Sequence, residues 1–373
     1  MFIVSSFILT YLGRIVKINL VNNSHSLALL MSSMVSLEGY LSQITYFVGA
    51  LANDINTVER LKRWVVANDY EGVLNLGVTT EQWPQTGRLD FNDIKVRYRE
   101  GLPLVIDGLD LGIKPGEKVG IVGRTGSGKS TLLLTLVRIL EVSEGSIEID
   151  GVDISTIGLH ELRRKLVIIP QDPYLFEGTL RENLDPFAEY SNAEIVNVLK
   201  MVNLTENLNI ESTQMTQDLG GGSMKPATSS LNGNQINTLL NMKISSKGGN
   251  LSLGQRQLIC IGRALIQKPK ILLIDEATAS IDQKTDALIQ KILKDNLAGV
   301  TVLAIAHRLE TIIEYDRVVV LGKGKMIEQG APIDLMEKRE EFYSMVAEGG
   351  EDFAERMTSL SRRAKLERRN SVN

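Results

Sequence analysis

The sequence predicts an α/β fold that carries a glycine-rich loop, with a short all-α segment ahead of it. Three observations carry this expectation. A β-prone run, Val119-Gly120-Ile121-Val122, leads into a glycine-rich loop and then into the apolar helical run 132–140. Two more apolar runs, 271–274 and 300–306, have the length and composition of buried parallel strands. Far upstream, residues 26–52 are mostly apolar and hold one acid, Glu38.

At 373 residues the chain has room for about two domains. Apolar residues make up 43% and charged residues 23%, which excludes global disorder. The net charge of −4 argues against a dedicated nucleic-acid binder, so no nucleic-acid partner is expected. The single cysteine, Cys260, cannot form an internal disulfide, which suits a reducing compartment, and its place in an apolar helical run reads as core packing. A mean hydropathy of +0.00 is too low for a polytopic membrane protein throughout. That average hides unlike ends.

Residues 1–12 are uncharged and are followed by Arg14 and Lys17. They read as the tail of a membrane span. A signal-peptide core is the competing reading, but no basic segment precedes them and no small-x-small cleavage site is evident. As a helix, residues 26–52 would be about 40 Å long, enough to span a bilayer. Ser32, Ser33, Ser36, Ser42, Gln43 and Thr45 dilute the apolar run. Such dilution fits a span packed in a bundle or lining a polar cavity; a buried helix of a soluble protein is the alternative. Ile55, Val58, Leu61 and Val65 then recur at helical spacing among Glu59, Arg60, Lys62 and Arg63, as in an amphipathic helix leaving the membrane on its cytoplasmic side. The expected organisation is a partial membrane domain over 1–66, a linker over 67–87 marked by Gly72, Gly77, Pro84 and Gly87, a main domain over 88–345, and a charged tail over 346–373.

The glycine-rich loop reads Gly123, Arg124, Thr125, Gly126, Ser127, Gly128, Lys129 and Ser130, followed by Thr131. This is G-x-x-x-x-G-K-S in the required order of strand, loop and helix. The glycines let backbone N–H groups converge on phosphate oxygens, Lys129 brings positive charge to the β/γ-phosphates, and the Ser130 hydroxyl can ligate Mg²⁺. At the carboxyl end of the apolar run 271–274, Asp275 is placed to hold Mg²⁺, and Glu276 can polarise an attacking water. These two motifs say P-loop NTPase and no more. Leu251-Ser252-Leu253-Gly254-Gln255 opens a helical run with small polar residues, whose donors suit an anion.

With that third motif the sequence resembles the nucleotide-binding domain of ATP-binding cassette (ABC) transporters, over about residues 88–345. It looks most like the second such domain of the C subfamily, the multidrug-resistance-associated type. Further support lies in residues 117–126, in Ile168-Ile169-Pro170-Gln171-Asp172-Pro173 and in Arg181-Glu182-Asn183-Leu184-Asp185-Pro186-Phe187. Residues 26–65 resemble that subfamily's last membrane helix and its exit.

The resemblance implies an α/β P-loop NTPase with an α-helical signature subdomain and an antiparallel β subdomain. It implies ATP and Mg²⁺ as ligands. Residues 123–131 would bind ATP. Tyr98 would stack on adenine, to which its ring offers a flat apolar face, or else is an ordinary strand tyrosine. Gln171 matches the glutamine that reaches Mg²⁺ beside Ser130 and Asp275, or else is a plain loop residue. His307 matches the switch histidine that supports Glu276 and contacts the γ-phosphate; a satisfied core histidine is the alternative. Asp282 matches the D-loop, or else is a helix cap. Two nucleotide-binding domains would meet head to tail. Lys129, Asp275, Glu276 and His307 would then serve one site, and residues 251–255 would complete the partner's. The implied function is the ATPase of an integral-membrane exporter of small molecules, with the nucleotide-binding domain in the cytoplasm. The implied partners are a second nucleotide-binding domain, further membrane helices and the lipid membrane. A nucleotide-sensing subunit of a channel or receptor is the alternative, and nucleotide-dependent channel modulation without transport would favour it. A soluble ABC ATPase of DNA repair or translation fits less well, given residues 26–52.

Residues 205–247 exceed the family segment and are rich in Gly, Ser, Asn, Gln and Thr, so they read as a mobile surface insertion. Arg368-Arg369-Asn370-Ser371 resembles a basic-directed kinase site within a solvated tail.

Overall fold

A computed structural model describes residues 10, 13–14, 24–67, 76, 82–204, 233–275, 281, 283–306 and 308–371. The chain divides into two compact units, residues 1–71 and 72–373.

In the first unit, α1 (Ser24–Ala67) is one helix of 44 residues, so the expected span and exit helix are continuous. Ser36, Thr45 and Thr57 each donate their hydroxyl to the carbonyl four residues back, which satisfies them within the helix. Arg63 pairs with Glu59 one turn away at 2.8 Å. No described helix is long and apolar enough to cross a membrane. In α1 the shortfall is apolarity rather than length, because the serines, Gln43 and Thr45 interrupt residues 26–52. Except for Thr10, the expected span end over 1–12 lies outside the described residues.

The second unit begins inside the expected linker. Trp83 is buried and donates Nε1–H to the Ile149 carbonyl at 3.1 Å. Asp150 accepts the N–H groups of Thr86 (2.8 Å), Gly87 (3.2 Å) and Arg88 (2.8 Å), and also the Thr86 hydroxyl. These bonds pin residues 83–88 to the body, so the domain starts a few residues before position 88.

Two sheets follow. β1 (Leu89–Val96), β2 (Ile106–Ile113), β4 (Glu144–Ile149) and β5 (Val152–Asp153) form an antiparallel sheet in the order β2-β1-β4-β5. The second sheet has the order β12-β11-β3-β10-β9-β6. Its strands are β3 (Lys118–Val122), β6 (Leu166–Ile169), β9 (Ile271–Asp275), β10 (Thr301–Ile305), β11 (Arg317–Gly322) and β12 (Lys325–Gly330). All neighbours are parallel except the edge pair β11/β12. The continuous apolar runs of β9 and β10 are buried, as a sheet covered on both faces requires. α2 (Lys129–Leu136) follows β3, and its Leu132 and Leu136 pack into the core that the two sheets share.

A helical region forms a second core. α3 (Leu159–Lys165) buries Leu162 in the core of the two sheets, and the helical region that follows contains the short pair strand β7 (Gly178–Thr179), α4 (Leu180–Leu184), α5 (Asn192–Met201), α6 (Gly233–Leu240), β8 (Lys243–Ile244), α7 (Leu253–Ile266) and α8 (Gln283–Asn296). The reading of 205–247 as a surface insertion needs correction for its second half. Leu239, Leu240 and Ile244 are buried in the helical core, and β8 pairs with β7. Asn and Thr outnumber these leucines in the sequence and conceal them. Residues 205–232 lie outside the described residues.

The C-terminal tail also differs from expectation. After α9 (Leu309–Ile312), α10 (Pro332–Lys338) and α11 (Glu341–Ala347), residues 351–371 form α12 (Glu351–Ser371). Ala354, Met357 and Ser361 recur at helical spacing and are buried against a third core. Lys365 pairs with Asp334 at 2.6 Å, and Arg362 with Glu337 at 3.8 Å. The charged residues occupy only the outer face. The Ser371 side chain lies outside the described ones.

Candidate nucleotide-binding site

The loop 123–130 leaves the carboxyl end of β3 and enters α2, where helix N–H groups are free to meet an anion. Two glycines are required by shape. At Gly123 a Cβ would run into the Leu321 carbonyl and lie 2.6 Å from Ser127 Oγ. Gly128, the N-cap of α2, has φ 101°, with the Val105 carbonyl 3.1 Å from where a Cβ would sit. Lys129 is buried, and its ammonium donates to the carbonyls of Gly123 (2.6 Å) and Arg124 (3.1 Å). Ser127 Oγ is buried and has no hydrogen-bond partner among the described residues. A narrow cradle, a folded-in ammonium and an unsatisfied hydroxyl fit a phosphate chain in both charge and donor content. Ser130 and Thr125 are exposed at its mouth.

Sheet register gathers the other candidates. Ile305 of β10 is level with both Ile121 of β3 and Asp275 of β9. Asp275 is therefore two strand spacings, about 10 Å, from the strand that feeds the loop. Ile169 of β6 is level with Ile274, so Gln171 emerges beside Asp275 at the same edge of the sheet. Ala306 N–H bonds the Ile121 carbonyl at 3.1 Å, which holds the end of β10 against the start of the loop. An exposed hydroxyl (Ser130), a half-buried carboxylate (Asp275) and an exposed amide (Gln171) are the all-oxygen donor set that Mg²⁺ prefers. Tyr98 reaches the helix that follows the loop: its hydroxyl is 3.2 Å from Thr131 Oγ1, and its half-exposed ring is free to stack. Glu276, Asp282 and His307 lie outside the described residues.

The segment 251–255 opens α7 as a capping box. Ser252 Oγ accepts the Gln255 N–H at 3.2 Å, and Gln255 Oε1 accepts the Ser252 N–H at 2.9 Å. Ser252 is exposed, while Gly254 is buried.

Sequence reasoning missed several polar residues that fix these parts. Gln257 of α7, fully buried, donates to the Pro170 carbonyl (3.4 Å), next to Gln171. Arg263, also on α7, bonds the Tyr174 carbonyl (2.7 Å), Asn183 Oδ1 (2.8 Å) and the Asn183 carbonyl, and its guanidinium lies 5.3 Å from the centre of the Phe176 ring. Burial pushes its pKa down from the ordinary arginine value. Arg124, which the resemblance puts among the ATP-binding residues, pairs with Glu348 (3.1 Å) and Glu341 (3.6 Å), and it is these two carboxylates that sequence reasoning missed. Partners more than 200 positions apart leave no local signal.

The strand–loop–helix cradle lies at the carboxyl edge of a mostly parallel sheet, in the same unit as the capped helix α7. Residues 106–279 match the ABC transporter family. This segment is an ABC transporter domain. Over 321 residues the chain is 41% identical to ATP-binding cassette sub-family C member 2 of Rattus norvegicus, covering 86% of this chain and 19% of that protein. It is 42% identical over 321 residues to the ATP-dependent bile acid permease of Saccharomyces cerevisiae, covering 85% and 19%. Among solved structures it is similar to a bacterial Atm1-family ABC exporter with ATP bound, with TM-score 0.65, 26% identity, and coverage of 85% of this chain and 52% of the other. The chain spans about a fifth of the length of the curated relatives it matches. The matched residues 106–279 run from β2 to just past β9 and take in the signature helix α7, while β1, β10, β11 and β12 lie outside them.

Proposed function

We propose that this chain binds and hydrolyses ATP as one nucleotide-binding domain of an ABC exporter of the C-subfamily type. The observation that carries the reading is the cradle at 123–130, which presents a buried ammonium and an unpartnered hydroxyl and leaves no room for side chains at Gly123 and Gly128. On this reading Lys129 exchanges its carbonyl partners for β- and γ-phosphate oxygens, and backbone N–H groups of the loop take the remaining charge. Tyr98 stacks on the adenine. Ser130, Asp275 and Gln171 hold Mg²⁺, which neutralises charge on the phosphate chain when bound. Glu276 orients the attacking water, and His307 supports Glu276. Ser252 and Gly254 serve the ATP of a second nucleotide-binding domain, Asp282 links the two sites, and hydrolysis depends on that partner.

Leu37, Tyr40, Phe47 and Trp64 of α1 are exposed. Covering them against further helices would suit a bundle position, where interrupting serines are tolerated. We propose that α1 joins such a membrane domain, that the ABC domain lies in the cytoplasm, and that the cargo is a small molecule. The test is Glu276→Gln in the presence of the partner domain. Steady-state ATPase is abolished and ATP binding is retained; full turnover would sink the assignment.

A further inference from the structure

The described parts of the nucleotide site leave one question: how occupancy of the loop at 123–130 reaches the signature segment that serves the other site. The contacts trace a path. Ala306 is bonded to the carbonyl of Ile121, two residues before the loop. Arg308, next to His307, caps α9, and its carbonyl accepts both the N–H (3.2 Å) and the hydroxyl (2.7 Å) of Thr311. Its guanidinium lies 2.8 Å from Asp286 Oδ2, in the first turn of α8, and 3.6 Å from Glu310. The Asp286 side chain is only 12% exposed, so this is no surface ion pair. One residue earlier on the same turn, Thr285 packs on the signature: a Cβ on Gly254 would lie 2.7 Å from Thr285 Cγ2. The first turn of α8 therefore touches the signature helix with Thr285 and the switch segment with Asp286.

We propose that the Asp286–Arg308 ion pair, with the Thr285–Gly254 contact beside it, is a positioning couple that makes the signature segment respond to nucleotide in this chain's own loop. It rests on the nucleotide-site reading above. A pair with one partner largely buried is a poor source of net stability, because desolvation offsets most of its attraction. What it supplies is a directional tie between the first turn of α8 and the segment that follows His307. The absence of slack at Gly254 means a shift of α8 is passed to the signature rather than absorbed.

The test uses the 373-residue chain with a non-hydrolysable ATP analogue and Mg²⁺, reading amide hydrogen exchange over residues 252–257. In the wild type, exchange there slows when the analogue binds. Asp286→Asn loses that response, while affinity for the analogue stays within about twofold, the scale of coupling between separate sites. The neutral pair D286N/R308Q, which leaves no unpaired buried charge, loses it too and keeps the thermal midpoint near wild type. With the partner domain present, kcat falls about tenfold or more at unchanged KM. A wild type without the exchange response, a D286N that keeps it, or a loss of affinity in parallel would overturn the proposal. Should the wild type bind the analogue and show the response yet hydrolyse no ATP with its partner, the activity reading falls and this coupling stands.

Discussion

Ser252→Ala separates the fold of the signature helix from its proposed service to another domain. The hydroxyl accepts the Gln255 N–H at 3.2 Å and so fills half of the capping box of α7, while the return bond from Ser252 N–H to Gln255 Oε1 survives the substitution. Loss of an N-cap costs about 1 kcal/mol. Ser252 is exposed, so water replaces part of what is lost. In a unit of this size such a change lowers Tm by about 1–2 °C. If the hydroxyl also donates to phosphate oxygens held by a partner domain, its loss removes a charge-assisted bond of about 1.5–3 kcal/mol, a ten- to hundredfold effect. Three measurements separate the two effects: thermal unfolding, ATP binding by the chain alone, and hydrolysis with the partner. The expected pattern is a small drop in Tm, unchanged binding and hydrolysis down by at least tenfold. Weaker ATP binding by the isolated chain would show that the serine serves its own site. Unchanged hydrolysis beside the lowered Tm would reduce Ser252 to a cap.

Two further predictions concern the margins of the domain. Deleting residues 212–231 leaves Tm and ATPase near wild type, whereas deleting 212–242 removes the buried Leu239 and Leu240 and lowers the denaturant midpoint, at about 2–5 kcal/mol for each leucine; equal effects of the two deletions would refute the placement of α6 in the core. At Asp150, burial raises the carboxyl's pKa, but the hydrogen bonds from Thr86, Arg88 and Gly87 outweigh it and hold the group below the ordinary 3.8. Its contribution is therefore present in full above pH 3.8 and lost as pH falls through the lower folded value. Asp150→Asn should lower Tm at pH 7 and flatten the acid side of the Tm–pH curve, and parallel curves for the two proteins would refute the role.

The strand–loop–helix geometry around residues 123–130 was readable because it is local. Nine consecutive residues, 123–131, with a strand before and a helix after, state a phosphate cradle without any tertiary knowledge. The strands β9 and β10 were readable because burial on both faces forces unbroken apolar runs. The failures share a cause as well. In α12 and α6 a narrow buried stripe lies under an abundant polar face, so composition pointed to solvent while spacing, at Ala354, Met357 and Ser361 or at Leu239 and Leu240, pointed to core. Trp83 and Asp150 fasten the lead-in segment through bonds across more than 60 positions. Glycine and proline punctuation gives no sign of such bonds. The expected membrane span stands between these cases: its helix is there, but helicity alone does not decide which solvent surrounds it.

Arg124 marks where local reading of the loop stops. Its position in the motif accepts many residue types, and an arginine beside a phosphate site invites the idea that it binds phosphate. In the structure its guanidinium faces Glu341 and Glu348 instead. Arg124 is 70% exposed there, and ion pairs of that kind add about 0–1 kcal/mol, so the carboxylates contribute little to stability. Their effect is on direction. They draw the guanidinium toward the C-terminal helices and leave the cradle to Lys129 and the backbone N–H groups. A loop whose donors are mostly backbone keeps one geometry for the phosphate chain, whereas a long side chain inside it would bring its own rotamers. The third core, in which α11 and α12 pack, thus bears on the candidate nucleotide site through two carboxylates that the loop sequence could not announce.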